Sequence, residues 1–352
     1  MARTGTNRRS PSTSQKPPRP KSRRRHDLSA IDHAVRLIHY VCCLAGSATL
    51  IDDLQAESSD DDLHAAVANH DSAALVDWLL AALSYQGISD QVAFNYMEEH
   101  GQATWHEIKR NLAKRASCPK LASYWHFHGC RYHKTSHTCA EPDHISKCPL
   151  PTHDLRNGRL NQTAFSLVLF VRDIADGDLI GWIDRQLHAA DEPTDPDRLV
   201  HLHEAIIGPL RQIYGVADKV LTMALSCILL SAASDRPLWH EVGAGMIAVD
   251  TLVHNFLHRT GILDRFDAVH AYGPGCYQHG GCAEILQAVA ERIDAQQFNP
   301  SFPQTFPRFV QHAIWRFCSQ QGLDICNGNR IDDRKSCDNV YCQIYRICDR
   351  YF

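Results

Sequence analysis

The chain has 352 residues, of which 44% are hydrophobic and 22% charged, with a formal net charge of −4. That length has room for two domains with sizeable cores, and the composition excludes the disordered, fibrous and collagen-like classes. No apolar run reaches the ~18 residues that a membrane span requires.

Charge is distributed unevenly. Nine of the 36 Lys and Arg lie in residues 1–25, which hold no acid, so the remainder carries 27 basic against 40 acidic side chains. A nucleic-acid-binding function therefore requires the basic residues of the folded part to gather on one face. The tail, with Lys16-Pro-Pro-Arg-Pro20 and Ser22-Arg-Arg-Arg25, cannot bury apolar surface and is expected to be disordered. It would either neutralise phosphates or act as a solubilising or targeting segment. This N-terminus is the reverse of a secretory signal, so a cytoplasmic, nucleoid-associated location is expected, or a nuclear one in a eukaryotic cell. Fourteen clustered cysteines in such a setting point to metal ligation more than to disulfides.

Helical periodicity then runs through the chain. Ile31, Val35, Ile38 and Val41 mark a helix within 28–54, followed by the acidic linker Glu57–Asp62. Leu75, Val76, Leu79, Leu80 and Leu83 mark a second helix, which ends in the polar turn Ser84–Asp90. Trp105, Ile108 and Leu112 give a short helix, and a long one opens at Gly158-Arg159-Leu160-Asn161 and continues through Leu167 and Val171. Residues 199–213 supply another. A glycine turn at Gly215 leads to Lys219 and the apolar set Val220, Leu221, Ala224, Leu225, Ile228 and Leu229. Asp250 stands at an N-cap position before Leu252, Val253, Phe256 and Leu257, with Thr251, Asn255, His258 and Arg259 expected on the opposite face. That helix should stop at Gly261.

Two cysteine sets stand out. Cys118, Cys130, Cys139 and Cys148 lie in a polar segment interleaved with His126, His128, His133, His137 and His144, with too few aliphatics to require burial. A metal-held loop is the economical account, four thiolates binding either zinc or an iron–sulfur cluster. Cys326, Cys337, Cys342 and Cys348 form the second set, able to ligate either a single tetrahedral ion such as zinc or the four irons of a cubane, with Cys318 as a substitute ligand. Cys276 and Cys282 lie in a glycine-rich loop and could join His279 in part of a metal site, but a packed irregular loop explains them equally well.

Gly215-Val216-Ala217-Asp218-Lys219 and Ala248-Val249-Asp250-Thr251-Leu252-Val253-His254 resemble the two signature segments of the helix-hairpin-helix DNA glycosylases of the endonuclease III type. Ala217 stands where that family has its second hairpin glycine, and about a dozen extra residues around 231–245 separate hairpin from aspartate. The resemblance implies an all-helical, two-domain fold. Its units would be the tail 1–25, an N-terminal helical segment 26–72 packed on the C-terminal domain, a helical barrel 73–250 carrying the hairpin and a cysteine-rich insertion at 117–153, and a C-terminal domain 251–352.

It further implies a base-excision glycosylase with lyase activity, Lys219 as nucleophile and Asp250 as catalytic carboxylate, acting as a monomer on double-stranded DNA. Gln86 matches the glutamine that fills the hole left by an extruded base. Arg159, Leu160 and Asn161 match a wedge loop, and Gly215 and Ala217 the phosphate-binding hairpin. Cys326, Cys337, Cys342 and Cys348 match the family's [4Fe–4S] ligands, with Arg330, Arg334 and Lys335 in the DNA-contacting loop between the first two. Two other classes remain open: a DNA-binding protein that does not cut, and a redox-sensing metalloprotein on the same scaffold.

Overall fold

A computed structural model describes residues 28–45, 61–84, 90–115, 118–133, 136, 138–150, 159–232, 236–326 and 339–349. The basic tail, Gln86, Arg330, Arg334, Lys335 and Cys337 lie outside the described residues. Among these residues the protein is helical, without strands, apart from one isolated bridge between His133 and Thr138. No described helix is long and apolar enough to cross a membrane.

The helices build two adjoining cores. The first gathers α2 (Asp61–Ala68), α3 (Ser72–Ser84), α5 (Trp105–Arg115), α6 (Tyr124–Phe127) and α7 (Arg159–Asp173) with α8 (Leu179–Ala190), α9 (Arg198–Arg211), α10 (Asp218–Leu230) and α11 (Pro237–Gly245). The helix α4 (Asp90–His100) follows α3. Leu63 and Val67, which fall in the 26–72 segment, pack into this first core. At its centre runs α7, buried on every side from Gln162 to Val171, with the polar Gln162, Thr163 and Ser166 covered along with the apolar residues.

The second core joins α1 (Ala30–Ala45) to α12 (Thr251–Arg259), α13 (Ile262–Arg265), α14 (Cys282–Ala290) and α15 (Pro307–Cys318). Ser29 starts α1, its hydroxyl accepting from Asp32 N at 3.2 Å. The apolar stripe Ala34, Leu37, Ile38 and Val41 then turns inward onto the C-terminal helices. Leu37, Ile38 and Val41, fully buried, each contribute about 1.5–3 kcal/mol. Asp349 fastens the far end of the chain: it pairs with Arg265 at 2.6 Å and with His33 of α1 at 3.8 Å.

Two sequence expectations are corrected. The segment 118–150 is not free of core residues: Leu121, Tyr124, Phe127, Cys130, Tyr132 and Leu150 are buried in the first core, because the segment lies along α7. Tyr124 N donates to Asp173 at 2.7 Å, and Gln162 donates to the Tyr132 carbonyl at 3.0 Å. Asn255, expected on a polar face, is only 4% exposed, because α12 packs against α15 and lies within the second core rather than at its surface.

Candidate active site and metal-binding clusters

The turn between α9 and α10 is built by Gly215, whose φ of +74° lies in the left-handed region that glycine adopts at no steric cost. The same residue approaches α7 so closely that a Cβ would stand 2.9 Å from Thr163 Oγ1. Tyr214 N donates to Ser166 at 3.1 Å, which seats the hairpin on α7. The backbone of Arg159, Leu160 and Asn161 forms the first turn of that helix, so the candidate wedge and the hairpin share one end of α7. Ala217 takes the N-cap of α10 in extended conformation, and Lys219 follows in the first turn, half-buried. Arg211 bridges Glu204 at 3.0 Å and Asp218 at 2.8 Å beside this turn.

Asp250 caps α12, accepting from Val253 N at 2.8 Å. Burial pushes its carboxyl above the ordinary carboxylate range, while the Val253 N–H and the positive charges of Lys219 and Arg308 pull the other way. The positive charge of the Lys219 amine, at the start of α10 in the first core, therefore reaches the Asp250 carboxyl at the start of α12 in the second. Tyr277 closes one flank: its hydroxyl accepts from Val249 N at 2.9 Å, next to Asp250. The Tyr272 hydroxyl is hydrogen-bonded to the Thr251 side chain on the other flank.

One turn beyond Asp250 lies a group that the sequence reading only half recovered. His254, His270, Cys276 and Cys282 have ligand atoms that all lie within 4.8 Å of one another, an arrangement able to hold a metal ion. Cys276 and Cys282 were among the candidates, but their partner is not His279, which is exposed and pairs with Glu284 at 3.0 Å. His254 was absorbed into the helix pattern of 250–257, and His270 carries no motif. A signal was present in the two histidines upstream of the cysteine pair, but nothing in their spacing set them apart from the chain's 22 histidines.

Cys118, Cys130, Cys139 and Cys148 surround a void of about 20 Å³, with His144 on its wall. Burial raises Cys130 and Cys148 above the ordinary thiol value, and the neighbouring thiols of the set add to it by charge. His126 and His133 instead hydrogen-bond Ser123 at 2.6 Å and Ser136 at 2.9 Å. At the end of the chain, Cys326, Cys342 and Cys348 pack against the second core. Cys326 is drawn down to about 7 by its hydrogen bond with the buried Cys318, and then by the charge of Arg259, against the effect of burial.

No protein-family model, no curated protein and no solved structure matches this chain.

Proposed function

We propose that this protein is a DNA glycosylase with lyase activity, in which Lys219 and Asp250 carry the chemistry. The observation that supports the reading is that the charge of Lys219 reaches the Asp250 carboxyl where the two helical cores adjoin, each residue at the start of its own helix. Junctions of this kind are where ligand sites commonly form.

In the proposed reaction a damaged or mispaired nucleotide is extruded from the duplex, at a cost of a few kcal/mol that is lower for a poorly stacked lesion. As the N-glycosidic bond lengthens, positive charge grows on the sugar, and the fixed Asp250 carboxylate stabilises it without reorganising. The free amine of Lys219 forms a bond to C1′ while the base departs with the bonding electrons and takes up a proton. The sugar ring opens to an iminium, loss of the C2′ proton expels the 3′ phosphate, and water later releases the lysine. The hairpin turn at Gly215 and the first turn of α7 would face the phosphates, both offering backbone N–H groups.

Two further groups belong to the same proposal. Cys326, Cys337, Cys342 and Cys348 would hold a [4Fe–4S] cluster, and the Cys318–Cys326 contact is compatible with Cys318 serving in the set. Cys118, Cys130, Cys139 and Cys148 would hold zinc or a second iron–sulfur cluster, the four thiols lining one small pocket.

Borohydride trapping on duplex DNA containing an abasic site tests the reading. A covalent adduct is expected with the natural chain and none with Lys219→Ala. Absence of an adduct from folded natural protein would overturn it in favour of binding without cutting.

A further inference from the structure

We propose that His254, His270, Cys276 and Cys282 bind one zinc ion in a closed tetrahedral site, and that this ion holds the 270–282 loop against the segment bearing Asp250. The proposal stands apart from the glycosylase reading, since the ion would bind whether or not Lys219 reacts.

Distance is the first argument. Zinc bonds of 2.3 Å to sulfur and 2.0–2.1 Å to nitrogen at tetrahedral angles place a sulfur roughly 3.6 Å from a nitrogen on the same ion. His254 Nδ1 lies 3.4 Å from Cys282 Sγ and 3.5 Å from Cys276 Sγ, and His270 Nε2 lies 3.4 Å from Cys282 Sγ. The ligand atoms thus already occupy the corners of a single-ion site. A two-iron cluster with two His and two Cys ligands would spread them over two metals, which atoms gathered within 4.8 Å do not allow.

Chemistry narrows the ion further. Thiolate and imidazole ligands exclude calcium and magnesium, which take oxygen. Two thiolates neutralise a divalent cation, so the filled site carries no net charge into a place where His254, Cys276 and Cys282 are 2% exposed or less. Four protein ligands leave no open position for substrate, which is the mark of a structural zinc.

A second layer of contacts fits the same reading. His270 Nδ1 donates to the Ala268 carbonyl at 2.6 Å, which fixes the tautomer that leaves the Nε2 lone pair turned toward Cys282. The loop is folded back so tightly that a Cβ on Gly281 would collide with the Gly275 carbonyl oxygen, and that closure brings Cys276 and Cys282 to one point. Tyr272 and Tyr277, the two residues that bracket Asp250 through Thr251 and Val249, lie inside the loop the ion would close. The site therefore acts on Asp250 by position, through the residues beside it.

Metal analysis of the full chain, purified under reducing conditions, tests this. Cys276→Ser/Cys282→Ser is expected to carry one zinc fewer per chain than the natural protein; Cys118, Cys130, Cys139 and Cys148 are intact in both, so the difference counts this site alone. Should that variant fail to fold, Cys282→His keeps four ligands. It is expected to retain the ion and, after cobalt exchange, to show tetrahedral bands with weaker sulfur-to-metal charge transfer. Chymotrypsin is expected to cut at Tyr272 and Tyr277 only once the ion has been removed. Equal zinc in the natural and double-serine chains, a cobalt spectrum unchanged by Cys282→His, or a Cys276–Cys282 disulfide in the reduced preparation would each overturn the proposal.

Discussion

The thiol set on the first core and the mixed set on the second solve the same problem from opposite directions. Cys118, Cys130, Cys139 and Cys148 belong to a segment that also buries Leu121, Tyr124 and Phe127, so apolar packing already fixes much of the loop before any ion arrives. Cys276 and Cys282 are themselves buried in the second core, but the loop between them has glycines and a half-exposed tyrosine in place of aliphatic anchors, and its other attachments include His254, His270 and two tyrosine hydrogen bonds. The lesson is that four cysteines in a row need not be the more metal-dependent element. What decides is how much else holds the segment down.

Variants can break or sharpen that contrast. The largest loss of stability is expected for Cys276→Ser/Cys282→Ser, above about 4 kcal/mol, in the tail of the usual range because buried polar groups lose their common partner. Denaturant titration with matched m-values measures it. Cys118→Ser/Cys139→Ser should cost less, about 1–3 kcal/mol, because Phe127 and its neighbours remain packed; a greater loss here than in the first pair would reverse the comparison.

Next in size is the junction between the cores. Asp250→Ala removes an N-cap and should cost about 0.5–2 kcal/mol, whereas Asp250→Asn keeps the cap. Both should depress base release by on the order of 10²–10³-fold if the carboxylate stabilises the sugar cation. An Asn variant as active as the natural chain would reduce Asp250 to a capping residue.

The smallest effect is a pH dependence confined to the first core. Burial holds His203 below the ordinary histidine value, its Nε2 donating to the Val242 carbonyl at 3.0 Å. Between that depressed value and about 6.5 the unfolded chain binds the proton better, so stability falls as pH drops through this window and recovers above it. Thermal unfolding between pH 5 and 7 should show the slope, and His203→Gln should flatten it.

Much of the helical order was legible because burial in this protein is periodic. The stretches around Leu75–Leu83, Leu221–Leu229 and Leu252–Leu257 carry the stripe that predicts them, and the glycine turn at 215 announces itself by residue type. What was not legible depends on contacts between distant elements. Nothing local marks Asn255 as buried, since the helix α15 that packs against α12 begins some fifty residues later. His254 reads as one more helical position until His270 and the cysteine pair are folded onto it. The pairing of Lys219 with Asp250 differs from both: locally each looks like an ordinary helix-start group, and it is the family resemblance that leads one to expect them together.

The place of α1 has a consequence for biogenesis. Its apolar stripe is made early, yet the helices that chiefly receive it, α13, α14 and α15, come more than 200 residues later. At about 5–20 residues per second the ribosome leaves Leu37, Ile38 and Val41 without their acceptor for roughly ten seconds or longer. During that interval the emerging polypeptide presents a sticky amphipathic segment, and a chaperone that shields such surfaces should raise the yield of correctly assembled molecules.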